Sequence, residues 1–226
     1  MNQSREVLEN LTEIQIAGQL VKLINVYKSV PISFDARIKS ISFDAVLLKV
    51  HKYQAFCMQQ SKYTYIDSNM LPKVVKGYVV NLDVDKNLAV LTDLSYIEGR
   101  IGDRELIRVE PKGSVNVLLI NGIKSNGDLV NISLRGIGIF LDQGSFTPKA
   151  FGEEQRILLN FQMPNSDQKI NIIGVVKNVS LDKAMKRYRI GIQIYPDQNT
   201  ELEISRYVAH RQAEILREIK MLLGIG

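Results

Sequence analysis

A mainly β fold in two small antiparallel domains, entered by one helix and closed by a longer one, is what this sequence predicts. Short β-rich runs separated by Asn, Asp, Ser, Gly and Pro clusters recur through most of the chain, which is the cadence of small sheets, sandwiches or barrels. Apolar residues at sustained helical spacing stand near the two ends. Near the middle, residues 95–108 hold two glycines and six charges with no sustained period, the composition of a joint between domains. At about 150 residues per domain, a chain of 226 residues makes one large domain or two small ones.

After Asn10, the residues Leu11, Ile14, Ala17, Val21, Ile24 and Tyr27 share one helical face, and Asn10 with Glu13 forms a capping signature. That spacing predicts a helix running on from Asn10. Strands follow over 32–41, 45–52, 55–60, 74–84 and 88–94, with a turn at residues 83–87. This first set forms a small antiparallel sheet or barrel. Beyond the joint come runs at 113–119, 127–132, 136–141, 156–162, 169–179 and 188–194, a second β domain. Thr200 with Glu203 then repeats the capping signature, and Ile204, Val208, Ile215, Ile219 and Leu222 line a long helix that Gly224 ends. No repeat of solenoid period and no low-complexity tract interrupts this plan.

Composition narrows the function classes. No apolar run approaches the roughly 20 residues a membrane helix needs, and the first residues lack the apolar stretch of a secretory signal. A cytoplasmic protein, in a bacterial-type cytosol, is expected. A lone cysteine, Cys57, cannot form an internal disulfide, and it stands with His51 and His210 at no spacing that suggests zinc. The net charge of +5 is a modest basic excess that suits an anionic partner without the density of a dedicated nucleic-acid binder. There is no nucleophile elbow, no P-loop and no paired histidine on a helix, and Cys57 reads as a buried inert thiol in a β run. No enzyme, no metal and no cofactor are expected.

Two segments carry recognisable chemistry. In the joint, Arg100, Arg104 and Arg108 recur every four residues, and a guanidinium is a rigid fork that meets phosphate oxygens in pairs and stacks on flat π surfaces. Taken alone, such arginines are also what a solvated charge run looks like. The second segment is Asn131-Ile-Ser133-Leu-Arg135-Gly136 at a strand end. There alternate polar side chains share one face, an amide and a hydroxyl stand ready for a base edge, and glycine lets a ligand approach the backbone. Locally, a simple Asx or Ser turn fits the same residues. Asn10, Asn131 and Asn178 each open an Asn-x-Ser/Thr sequon, which carries no meaning without export.

Together these segments resemble the PilZ domain, the bacterial receptor module for cyclic di-GMP, in its two-domain flagellar-brake form of the YcgR type. The family pattern is RxxxR followed by [D/N]xSxxG. This chain supplies Arg104 and Arg108, then Asn131, Ser133 and Gly136, and the run from Arg187 to Ile194, with Gly191, is similar to the family's late strand. The C-terminal helix with Tyr207 is similar to its closing helix, so the resemblance covers about residues 100–220. The earlier register, Arg100 with Arg104, stays open. Asp103 stands where family members often carry another arginine, and it would repel a nearby phosphate. Asn178-Val-Ser180 imitates the second motif but has Lys183 in place of its glycine, and is set aside.

The resemblance implies two small antiparallel β-barrel domains: residues 1–98 an N-terminal YcgR-N-like barrel with its leading helix, 99–109 the joint carrying RxxxR, and 110–226 the PilZ barrel with its long C-terminal helix. It implies a non-enzymatic cyclic di-GMP receptor in which Arg104 and Arg108 hold phosphates and stack on guanine. Asn131 and Ser133 would bond guanine edges, and Gly136 would make room for the base. Arg100, Asp103, Arg135 and Gly191 are secondary candidates. Ligand in the joint would change the angle between the domains and so alter partner binding, with flagellar motor components at the basal body as the implied target. Other PilZ proteins act on secretion, polysaccharide synthesis or transcription. A PilZ-fold adaptor that has lost nucleotide binding, which Asp103 favours, and an OB-like single-stranded nucleic-acid binder are the alternatives; against the latter, no clear stripe of interleaved basic and aromatic residues is visible.

Overall fold

The computed structural model describes residues 3–98, 106–164, 166 and 168–224. Its contacts divide the chain into two units, residues 1–105 with 216–226, and residues 106–215. Each contains a closed six-stranded barrel, antiparallel at every described pairing.

The first unit runs α1 (Gln3–Ile16), β1 (Val21–Tyr27), β2 (Val30–Ile41), β3 (Val46–Lys49), α2 (Lys52–Ser61), β4 (Tyr63–Asp67), β5 (Val75–Asp83) and β6 (Leu88–Tyr96). The strands close in the order β1-β2-β3-β6-β5-β4. Alternation along them sends Val21, Leu23, Ala36, Val46, Leu48, Val75 and Leu91 inward, and α1 adds Val7, Leu11 and Ile14 to the same core.

Three expectations for this unit are corrected. The helical face read from Leu11 to Tyr27 belongs to two elements: Gly18 at φ +67° follows the end of α1, and the chain re-enters as β1. Val21 and Ile24 keep a helical spacing of three and are both buried although a strand puts them on opposite faces, but β1 gains a ladder with β2 and another with β4. Asn10 lies within α1 and does not cap it. The expected strand at 55–60 is α2, in which Gln54, Ala55, Phe56, Cys57 and Met58 are all buried, so no single stripe shows. His51 caps its start by accepting from the Tyr53 N–H at 3.3 Å, and Lys62 ends it in the left-handed region at φ +62°.

A buried polar cluster ties α2 to the barrel. Asn25 donates to the Tyr63 carbonyl at 2.6 Å and accepts from the Thr64 hydroxyl at 2.7 Å, with Gln54 alongside. Satisfied buried groups of this kind fix one arrangement where apolar packing alone tolerates several. Cys57 is buried on α2, and burial pushes its thiol up to about 12, an inert thiol as expected, on a helix and not on a strand. Outside the barrel, β4 and β5 pair Tyr63 with Tyr78 and Tyr65 with Lys76. The Lys76 ammonium lies 4.7 Å from the ring centres of both Tyr63 and Tyr78, so the basic and aromatic residues of this face engage one another.

The second unit runs β7 (Asn116–Asn121), β8 (Ile123–Ser133), β9 (Gly136–Asp142), α3 (Pro148–Phe151), β10 (Arg156–Gln162), β11 (Lys169–Asp182) and β12 (Arg187–Ile194), followed by α4 (Gln198–Leu222) as far as Ile215, the rest of α4 being counted with the first unit. The strands close as β10-β11-β12-β9-β8-β7. Val117, Leu119, Ile132, Ile137, Ile139, Leu159, Ile172, Val176, Ile190 and Ile192 fill the interior. Gly174 is required there, because a Cβ would meet Ile192 Cγ2 at 2.4 Å and the Gln193 carbonyl oxygen at 2.9 Å. On α4, Ile204, Val208, Ile215 and Ile219 are buried, whereas Leu222 is exposed. The cap of α4 is Asp197, not Thr200: its carboxylate accepts from the Thr200 N–H at 2.8 Å. That bond holds the Asp197 carboxyl below its usual range.

Candidate functional site

The site is assembled by strand alternation and one short bridge. Val109 and Ile132 exchange main-chain hydrogen bonds, 2.9 Å from the Val109 N–H and 3.0 Å from the Ile132 N–H. Both side chains are fully buried. Since neighbours along an extended chain point oppositely, Arg108 on one side of the bridge and Ser133 on the other share the outward face.

Gly136 pairs with Ser133 across the β8–β9 ladder. The space beside it is bounded by this constellation: a Cβ at Gly136 would lie 3.4 Å from Ser133 Oγ and 3.8 Å from Arg108 Nη2. A methyl group would fit there, while a larger side chain would fill the gap between arginine and serine. The Ser133 hydroxyl donates to the Gly136 carbonyl at 3.2 Å, which fixes the tight turn between the strands.

Asn131 is set on the same outward face by a β-bulge. The β8–β9 register shifts between Leu129 and Asn131, so Asn131 faces Gly138. A Cβ on Gly138 would meet Asn131 Oδ1 at 2.8 Å, so the amide occupies space that the missing side chain leaves open. Asn131 and Ser133 are 2% and 3% exposed. Inside the barrel behind them stand Ile132, Ile137 and Ile192, an apolar wall that holds both strands in register.

The structure thus brings together Arg108, Asn131, Ser133 and Gly136. Arg100, Asp103 and Arg104 lie outside the described residues. Arg135 turns toward α4, where its guanidinium donates to both Glu201 carboxylate oxygens at 3.1 and 3.3 Å. Gly191 is on the outward face, paired with Gly138. At the start of β12, four residues before Gly191, Arg187 forms ion pairs with Asp128 at 2.7 Å and Asp142 at 2.8 Å, which keeps it structural at the end of the face. Gly138 was missed by sequence reasoning, since the need for a bare position there arises from a side chain on the neighbouring strand.

Electrostatically, the Arg108 guanidinium, the Asn131 amide and the Ser133 hydroxyl surround a bare patch of backbone on this face. That set suits an anion with a flat, hydrogen-bonding ring. Among the described residues, no group of three or more His, Cys, Asp or Glu is placed to hold a metal, and no helix is long and apolar enough to cross a membrane. A cleft of about 270 Å³, lined among others by Lys112, Met163, Arg206, Tyr207, His210 and Glu214, shares no residue with the motif.

The chain contains a PilZ domain: residues 103–210 match it, a span that takes in both motifs. An uncharacterized protein of Aquifex aeolicus (strain VF5) is 30% identical over 181 residues, 78% of this chain and 83% of that protein. Among solved structures, the chain is similar to MrkH of K. pneumonia in complex with c-di-GMP, with TM-score 0.49, 14% identity and coverage of 95% and 96%. It is also similar to YcgR of Escherichia coli in complex with c-di-GMP, with TM-score 0.48, 12% identity and coverage of 96% and 93%.

Replacing Gly138 by alanine should displace the Asn131 amide while leaving the barrel folded, since the atom in the way is the tip of a side chain and not backbone. The expected result is a shifted Asn131 side-chain amide resonance with a stability change of no more than about 1 kcal/mol. An unmoved Asn131 resonance in Gly138→Ala would contradict the clearance role.

Proposed function

We propose that this protein is a non-enzymatic receptor for cyclic di-GMP. The observation that carries the reading is the meeting of Arg108 with Ser133 and Gly136 on the outward face, produced by the Val109–Ile132 bridge. Arg104 and Arg108 hold phosphates and stack on guanine, as an always-charged, planar group can. Asn131 and Ser133 bond guanine edges, and Gly136 leaves room for the base. Residence in the cytosol and action on the flagellar motor, in the manner of a YcgR-type brake, complete the proposal.

Calorimetric titration with cyclic di-GMP tests the site. Arg104→Ala and Arg108→Ala should each weaken binding by roughly 2 to 5 kcal/mol, the range for removing one side of a buried charge pair, with thermal midpoints close to wild type. Wild-type affinity in both variants would sink the assignment. Arg100→Ala should matter less than Arg108→Ala, and the opposite order would move the motif to the earlier register.

The proposal extends to output. Asn131 and Ser133 are nearly fully buried, so a ligand that reaches them must displace what covers them, and Arg108 stands at that surface. The segment 99–109 carries the arginines and joins the two β domains in sequence. Binding that repositions this segment therefore biases the arrangement of the domains, and charge-assisted contacts of about 1.5 to 3 kcal/mol each are large enough to do so. Small-angle scattering at saturating ligand should differ from that of the free protein. Identical profiles, with binding confirmed by calorimetry, would leave a local change of surface as the output.

A further inference from the structure

The second barrel holds two irregular positions in its described ladders, and both fall on one row. The register of β8 against β9 shifts between Leu129 and Asn131, and that of β11 against β12 shifts between Val176 and Asn178. The remaining described ladders of this barrel run without a shift. The row reads Asn131, Gly138, Gly191 and Asn178 across β8, β9, β12 and β11. Each bulge inserts one residue, Val130 or Lys177, and so turns an asparagine to the outward face beside a glycine.

Bulges re-aim side chains, and they are common beside functional sites. Here the inward neighbours fix the direction: Val176, Ile192, Ile137 and Ile132 are buried in the barrel, which leaves the asparagines outside. Asn131 is covered, whereas Asn178 is exposed. Between them, Gly191 is open: a Cβ there would meet nothing closer than Asn178 Cβ at 3.6 Å. The Asn178-Val-Ser180 run, an imitation of the second motif in sequence, is thus placed on the same row as the motif's own asparagine.

We propose that Asn178 is a second base-reading residue on the row of Asn131, and that a purine ring lies against the open Gly191 backbone, with the Asn131 amide over Gly138 at one edge and the Asn178 amide at the other. Three strand spacings of about 4.8 Å separate the two asparagines, a span that takes a purine with an amide at either edge. An amide offers both a donor and an acceptor, so it can satisfy a ring edge whose polar groups would otherwise be buried unpaired. This inference rests on the receptor reading given above.

The test uses the full chain, cyclic di-GMP as the probe, and two variants, Asn178→Ala and Asn178→Asp, the second keeping the shape while removing the donor. Calorimetry gives affinity, and the Asn178 side-chain amide resonance, assigned by its loss in Asn178→Asp, reports contact. Both variants are expected to bind about tenfold more weakly, the scale of one lost hydrogen bond, and the amide resonance of the wild-type protein is expected to move at saturation. Wild-type binding with Asn178→Ala within twofold of it would overturn this inference and leave the receptor reading standing. Weakened binding with an unmoved amide would also overturn it, since the residue would then act by shaping the bulge. If the wild-type chain does not bind at all, the receptor reading fails and this one with it.

Discussion

Two main-chain hydrogen bonds between Val109 and Ile132 give the candidate site its geometry. Without them Arg108 would have no fixed direction relative to β8. With them Val109 enters the apolar interior, and alternation alone then delivers Arg108 to the face that carries Ser133 and Gly136. Burial of Val109 and Ile132 thus contributes twice: it stabilises the barrel by apolar transfer, about 1.5 to 3 kcal/mol per fully buried side chain of this size, and it sets the direction of the neighbouring polar groups. A functional face built this way is only as well ordered as the core behind it.

The same logic explains why bare positions cluster here. Gly136 and Gly138 stand on one strand with an inward Ile137 between them, and Gly191 faces Gly138 from β12. Around Gly138 the constraint is steric, since its missing Cβ is replaced by the Asn131 amide. Around Gly136 the constraint is looser, because the nearest atoms would be at ordinary contact distance. The two glycines therefore have different roles, one making room for a side chain of the protein and the other leaving room for something larger.

Much of this was legible in the sequence, and the failures have particular causes. Short β-rich runs bounded by glycine and polar turn clusters identified the strands of the second barrel. Val21 to Tyr27 misled because Val21, Ile24 and Tyr27 keep helical spacing while Val21, Leu23 and Asn25 are buried at every second position, and the ladder with β2 decided between the two. Residues 55–60 misled because α2 is buried on nearly all sides and shows no stripe. The strand β4 was missed, its five residues being too short to announce a pattern. The motif residues were readable because their spacing is local. Asn178 was not, since its partnership with Gly191, Gly138 and Asn131 exists in the register of four strands, and two bulges set that register.

Amide chemical-shift mapping of the intact, isotope-labelled chain during titration with cyclic di-GMP tests the receptor reading most directly, because it reports where the ligand sits and not merely that it binds. The expected result is a set of saturable shifts concentrated at 131–138 and 189–193, on the outward face of β8, β9 and β12, and at the RxxxR motif of residues 104–108. Shifts confined to other surfaces of the protein, or none at ligand concentrations that saturate a receptor of this kind, would contradict it.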